Sequence, residues 1–406
     1  MRDRYDIAIV GGGIVGLPTA YALLQRHPEL RILVLEKEPQ LAMHQSGHNS
    51  GVIHSGIYYR PGSLKAKLCV GGGRQLTAFC DAHGIAYQRC GIVIVAVTQD
   101  ERARLDALYE RGLANGVPGL ARIGPERLRE LEPHVRGLAA LHLPQVGIVD
   151  FRAVATAIAR EITRAGGDIR TAAQVTQLRA EPEGWRLVTP GATYHAECLV
   201  NCGGLHADTL ARLAGDRADV RLVPFRGEYY MLPPSRHGLV RGLVYPVPDP
   251  AMPFLGVHFT KMLDGGVHVG PNAVLALKRE GYRRSDVSWR DCGELLVSGG
   301  FWRMVRRYWR AGLEESVRSW SRRALLRAAR RLVPALTLDD LQPSPAGVRA
   351  QAIAPDGALL DDFVLRDAPH ALHVYNAPSP AATASLSIGA HIADRVAAML
   401  PARAAS

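Results

Sequence analysis

Hydrophobic and polar positions along the chain follow two periods that exchange several times. The apolar run YDIAIV leads through a glycine cluster into GLPTAYALL, then into a second apolar run, ILVL, ending before Glu36. A short apolar run, a segment of period 3.6 and another apolar run predict β–α–β over residues 5–37. Helical spacing recurs over 62–83, with Leu64, Leu68 and Leu76 on one side, and again over 100–114, 125–133 and 152–165. GIVIVAV (91–97) predicts a strand among these. After residue 165, GGDIRTAAQVTQLRA and WRLVT return to strand signals, so the chain is expected to re-enter its first sheet.

Residues 221–274 read differently. LVPFRGEYYMLP, GLVYPVP, FLGVHFT and GGVHVGPN are short strands parted by Pro, Gly and Asp turns. They predict an antiparallel sheet inserted into the first unit. The tail from Ala371 reads as strand, loop and helix. The expected organisation is α/β: a discontinuous nucleotide-binding domain (1–85, 150–215 and 335–406), a substrate domain (86–149 and 216–300) and a basic helical segment (301–334).

With 406 residues, 47% of them hydrophobic, the chain can bury two cores. No apolar run is long enough to predict a membrane span. The first strand begins at Tyr5, so no signal or transit peptide is expected and a cytoplasmic location is. The six cysteines lack CxxC spacing, which predicts reduced thiols and no metal site.

The net charge of +11 is local. Ten arginines lie between Arg303 and Arg331 against only Glu314 and Glu315. Arg303, Arg306, Arg307 and Arg310 share one helical face, with Trp302, Val305 and Trp309 on another. Arg323, Arg327, Arg330 and Arg331 oppose Leu325, Ala328, Ala329 and Leu332 in the same way. Such faces fit peripheral docking on anionic lipid, at the inner face of the cell membrane, with a quinone as acceptor. Packing on the core or an oligomer contact are the competing readings. No motif for nucleic acid accompanies the patch.

Gly11, Gly13 and Gly16 form GxGxxG between a strand and a helix, where glycines make the turn and let the backbone approach a pyrophosphate. Ile14 and Val15 complete the turn. Glu36, 20 residues past Gly16, is placed to accept from ribose hydroxyls, and an acid there argues against a 2′-phosphate. Two later segments favour FAD over NAD: LVNCGGLHAD (199–208) in the re-entrant part, and the C-terminal PSPAATASLSIG, whose helix N-terminus would face the flavin.

These strings resemble the D-amino-acid-oxidase-like FAD oxidoreductases over essentially the whole chain. GGGIVG, Glu36 and NCGG carry the broad likeness. GHNSGVIHSGIYYRPGSLKAKLC (47–69), RGEYY (226–230), YPVPDP with PFLGVHFT (245–260), GPNAV (270–274), GVRAQ (347–351) and NAPSPAATASLSIG (376–389) resemble the branch acting on L-2-hydroxyglutarate. Gly204-Leu205 stands where the wider family has an alanine-glycine turn. The resemblance implies a Rossmann-type FAD-binding domain with an inserted antiparallel substrate domain. It also implies oxidation of L-2-hydroxyglutarate to 2-oxoglutarate, hydride passing to flavin N5 and electrons on to a quinone or oxygen. An amine or amino-acid oxidase of the same fold is the alternative.

Cofactor contacts are expected, besides the glycine turn and Glu36, from Lys37, His44, Ser46, His48, Asn49, Ser50 and Gly51. Further contacts are expected from Val175, Cys202, Gly203 and Asp208, and from the loop Ser379, Pro380, Ala381, Ala382 and Thr383. FAD is expected to be held non-covalently. For the base, His258 and His54 are the candidates, since a neutral imidazole suits that role. Arg349 is expected to clamp a carboxylate. Arg226, Tyr245, Thr260, Lys65 and Asn272 are candidates for the second carboxylate.

Overall fold

The computed structural model describes residues 4–216, 220–250 and 255–400. Pro253 and Phe254, at the head of the PFLGVHFT string, lie outside the described residues, as do the chain ends assigned to the nucleotide-binding unit.

Strand Arg4–Val10 is buried from Tyr5 onward, which is why it reads as an unbroken apolar run. It runs parallel to Ile32–Leu35 on one side and Thr193–Asn201 on the other. Asp168–Arg170 and Ala371–Asn376 extend the sheet in parallel, and the ribbon Gln177–Glu181 with Gly184–Val188 hangs antiparallel on Thr193–Asn201. Ile7 and Ile9 pack in one cluster with helices Gly16–Arg26, Phe151–Arg164 and Ser385–Ala397, through Leu17, Leu23, Ile158 and Ile392. Ala8 and Val10 point into the opposite cluster with Trp185 and Leu210. The parallel strands end together at Gly11, Glu36, Cys202 and Ala377, the edge where open α/β sheets bind ligands.

Among the described residues the second sheet has nine strands, in the order Val274–Leu275, Arg221–Met231, Val267–Gly270, His258–Lys261, Leu243–Pro246, Ile92–Ala96, Ala139–Leu143 and Ala121–Ile123, with Gln342–Ile353 also paired to Arg221–Met231. It departs from the expected antiparallel sheet at one junction, where Leu243–Pro246 runs parallel to Ile92–Ala96. Parallel neighbours need a long crossover, and the whole re-entrant excursion through the first sheet separates these two. Gln342–Ile353 falls in a stretch assigned from sequence to the nucleotide-binding unit. It instead registers along Arg221–Met231, from Arg221 opposite Ile353 to Met231 opposite Gln342. A small third sheet joins Val52–Ile53, Gly147–Val149 and Tyr87–Gln88.

The basic segment forms helices Gly299–Trp320, bent at Tyr308, and Arg322–Ala329. Leu325, Ala329, Leu332 and Val333 pack against Phe259, Val267 and Val269 of the second sheet. The apolar face of the shorter helix is therefore core. In the longer helix, Phe301 and Met304 are the buried anchors, while Trp302, Trp309, Leu313, Val317 and Trp320 stand exposed.

Candidate active site

A cleft of ≈ 970 Å³ opens where the parallel strands of the first sheet face the second sheet. At one end lies the glycine turn. Gly11 has φ +119°, and a Cβ there would sit 2.3 Å from the carbonyl oxygen of Cys202. A Cβ on Gly16 would come within 2.0 Å of the Gly11 carbonyl, so Gly16 serves helix-on-strand packing and does not line the cleft. Ser46 Oγ accepts from the Ile14 N–H at 2.8 Å, tying segment 44–50 to the turn. Glu36 accepts from the Gly12 N–H (2.8 Å) and the Glu38 N–H (2.9 Å), which fixes its carboxylate at the mouth of the turn. Asn201 holds the adjoining NCGG turn by donating to the Ala207 carbonyl and accepting from Gly203 N–H.

Beside Glu36, residues distant in sequence meet. Lys37 donates to Glu280 at 3.0 Å and also bonds Glu38, and His44 and His206 each lie within 3.1 Å of a Glu280 oxygen. Burial alone would push Glu280 up, but hydrogen bonds from His206 and Lys37 hold it at about 2. Tyr282 stacks on His48, with centroids 4.3 Å apart, and its hydroxyl lies 3.0 Å from His44 Nδ1. Glu38, His44 and Glu280 have the spacing of metal ligands, yet the Lys37 ammonium already bonds both carboxylates. Sequence reading missed Glu280, Tyr282 and His206. For Glu280 and Tyr282, the charged string KREGYRR, three residues after GPNAV, was the available signal.

At the other end, Thr383 Oγ1 accepts from the His54 N–H (3.0 Å) and donates to the Val52 carbonyl (3.1 Å), stitching the C-terminal loop to the end of strand Val52–Ile53, where His54 follows. Ser379, Pro380, Ala381, Ala382 and Thr383 all line the cleft. The N–H groups of Ala384 and Ser385, at the start of the last helix, bond instead to the carbonyls of Pro380 and Ala382.

His54, His258 and Arg349 reach the cleft from three separate strands or strand ends. His258 Nδ1 lies 2.8 Å from the Gly256 carbonyl oxygen, so it must donate, and Nε2 is left as an acceptor. Burial pulls His258 down to about 4, against the raising effect of that hydrogen bond, with Arg349 lowering it further. Burial also takes His54 to about 4, helped by the charges of His258, Arg349 and Lys65. Both rings are neutral at physiological pH. The Arg349 side chain is exposed and lines the cleft, and the surrounding protein desolvates it enough to lower its pKa.

Other expected residues lie elsewhere. Along Arg221–Met231, Phe225, Gly227 and Tyr229 face the cleft, so Arg226 points to the other side of the sheet. There it bonds Glu228 at 3.1 Å and the Arg283 carbonyl. Asn272 lines the cleft, but Glu228 takes both ends of its amide, through Nδ2 at 2.9 Å and Oδ1 at 2.8 Å. Tyr245 and Thr260 hydrogen-bond to each other behind His258, whose ring rests 4.1 Å from that of Tyr245. Asp208 is fully buried against Arg279 and off the cleft lining. Gly51, at φ +69°, packs on the Val149 carbonyl. Lys37, His44, Ser46, His48, Asn49, Ser50, Val175, Cys202 and Gly203 all line the cleft.

The chain belongs to the FAD dependent oxidoreductase family, whose model matches residues 6–395. The L-2-hydroxyglutarate dehydrogenase of Escherichia coli K12 is 48% identical over 397 residues, covering 98% of this chain and 94% of that protein. The human mitochondrial L-2-hydroxyglutarate dehydrogenase is 48% identical over 412 residues, covering 97% and 89%. Among solved structures, the FAD-bound L-α-glycerophosphate oxidase of Mycoplasma pneumoniae superposes with a TM-score of 0.78 at 26% identity, covering 98% of this chain and 95% of that one. Glycine oxidase from Geobacillus kaustophilus (TM-score 0.73, 21% identity) shares the fold. The enzyme uses FAD, and its residues fit that cofactor: side chains are excluded at Gly11, and Glu36 is fixed where the ribose recognition of such turns lies.

Proposed function

We propose that this enzyme oxidises the 2-hydroxyl of L-2-hydroxyglutarate to 2-oxoglutarate. The convergence of His54, His258 and Arg349 on one cleft carries this reading, and the activity named for relatives about half identical over nearly the whole chain supports it. Bound FAD supplies the two-electron acceptor.

As C2 loses its hydrogen with both electrons, its hydroxyl must shed a proton for the ketone to form. His258 is set to take it: Nδ1 is committed to the Gly256 carbonyl, and burial keeps Nε2 unprotonated. General-base assistance of this kind is worth about 10²–10⁴ in rate. Arg349 offers a planar fork for the carboxylate beside the reacting carbon. His54 is anchored through its backbone to Thr383 and sits 3.5 Å from Ser379 Oγ, which suits it to orient the substrate hydroxyl.

The acceptor is a quinone reached at an anionic membrane surface. The exposed Trp302, Trp309 and Trp320 lie on one helix with the exposed Arg306, Arg307 and Arg310, a combination suited to the lipid headgroup region. Among the described residues, no helix is long and apolar enough to cross a membrane.

Anaerobic mixing tests the reaction. L-2-hydroxyglutarate should bleach the flavin band and its D enantiomer should not. Bleaching by glycine or sarcosine, with none by the L-hydroxy diacid, would overturn the assignment.

A further inference from the structure

The proposed substrate carries two carboxylates, and Arg349 can clamp one. Arg226 is committed to Glu228 on the far side of its strand, which leaves the question of what meets the other. Lys65 lies on the buried face of helix Leu64–His83 together with Ala66, Cys69 and Gly72. Of the Leu64/Leu68/Leu76 face suggested by sequence, Leu76 is fully buried and Leu64 and Leu68 only partly so, and the shift turns a lysine inward. One turn further on, Cys69 Sγ lies 3.6 Å from the His54 carbonyl oxygen, so this face abuts the catalytic segment. The Lys65 ammonium sits 5.2 Å from the centroid of the Tyr59 ring. The Tyr59 hydroxyl bonds Ser379, whose Oγ is the neighbour of His54 Nε2.

The partner of Lys65 is unusual. The lysine side chain is only 7% exposed, yet it is paired at 2.8 Å with Asp361, whose side chain is 95% exposed. A buried ammonium left alone is strongly disfavoured, whereas an exposed carboxylate loses little by returning to water. The loop need not move for that to happen. Asp362 fastens it by accepting from the Leu64 and Lys65 N–H groups at the helix N-terminus, and Asp361 hangs free of that anchor. The negative charge of Asp361 also acts weakly on Arg349, opposing the lowering of its pKa by burial.

We propose that Lys65 is the specificity-determining cation for the distal carboxylate of the substrate, and that Asp361 occupies it until substrate arrives. The inference rests on the 2-hydroxy-diacid reading above. A monocarboxylate gains nothing from Lys65, because it cannot replace Asp361.

The test compares L-2-hydroxyglutarate with L-2-hydroxyvalerate, a monoacid of equal chain length, by anaerobic flavin reduction in the FAD-loaded enzyme. Lys65→Met should lower kcat/KM for the diacid by about 100-fold, mostly through KM, and leave the monoacid within about threefold. Lys65→Arg should recover part of the loss. Asp361→Asn removes the competitor and should lower KM for the diacid alone; it decides the matter should Lys65→Met fail to fold. Equal losses on both acids, or an unchanged diacid KM in Asp361→Asn, would overturn the proposal. Failure of the underlying reading would look different: wild-type flavin would not be bleached by the diacid at all.

Discussion

His258→Gln keeps a side chain able to donate toward the Gly256 carbonyl but removes the ring nitrogen proposed to receive the substrate proton. The structure sets the size of what is lost. Lowering a histidine from 6.5 to about 4 favours the neutral ring by about 3 kcal/mol, so at pH 6.5 the neutral-to-charged ratio rises from one to about 300. Wild-type flavin reduction by L-2-hydroxyglutarate should therefore be flat from about pH 5 to 8 and fall only as pH drops through about 4, where the ring gains its proton. The variant should reduce its flavin about 10²–10⁴-fold more slowly across that range. Stopped-flow absorbance of anaerobic, FAD-loaded protein measures both. A limb near pH 6.5 in the wild type would mean that burial does not set the ring's state. A Gln variant within about threefold of wild type, alongside a crippled His54→Ala, would move the base to His54.

Gly11→Ala should yield protein without bound FAD, because its Cβ would lie 2.3 Å from the Cys202 carbonyl at a φ that side chains avoid; flavin absorbance of the purified protein measures this. The enzyme should co-sediment with anionic vesicles at low salt and be released at high salt, and Trp302→Ser with Trp309→Ser should weaken binding without slowing flavin reduction. Binding unchanged in that pair would place the contact elsewhere.

The nucleotide end of the site was legible because its chemistry is local. GxGxxG and Glu36 lie on one β–α–β unit, and strand, turn and helix geometry fix their relative positions whatever surrounds them. Across the second sheet, legibility failed at a specific point. In FRGEYY, Arg226 and Glu228 share one parity and Phe225, Gly227 and Tyr229 the other, so alternation separates the two sets but cannot say which of them faces the cleft. The answer depends on pairing with Gln342–Ile353 and Val267–Gly270. Glu228 was equally hidden. Burial would push this carboxyl up, but hydrogen bonds from Arg284, Ser319 and Asn272 hold it at about 2, and those partners come from three distant segments.

The basic helices divide the same way. Their period of 3.6 made them two-faced in the sequence alone, but only packing chose the use of each face. Leu325 and Leu332 went into the core, and Trp302 and Trp309 were left outside. Short strings were enough to point to the cofactor class and the two-unit architecture and to single out His54, His258 and Arg349 as candidates. Only the folded chain shows that those three line one cleft, that burial keeps both imidazoles neutral, and that Lys65 turns inward and pairs with Asp361. Desolvation and side-chain pairing depend on which segments meet in space, and contacts between residues hundreds of positions apart leave no period in the chain to read.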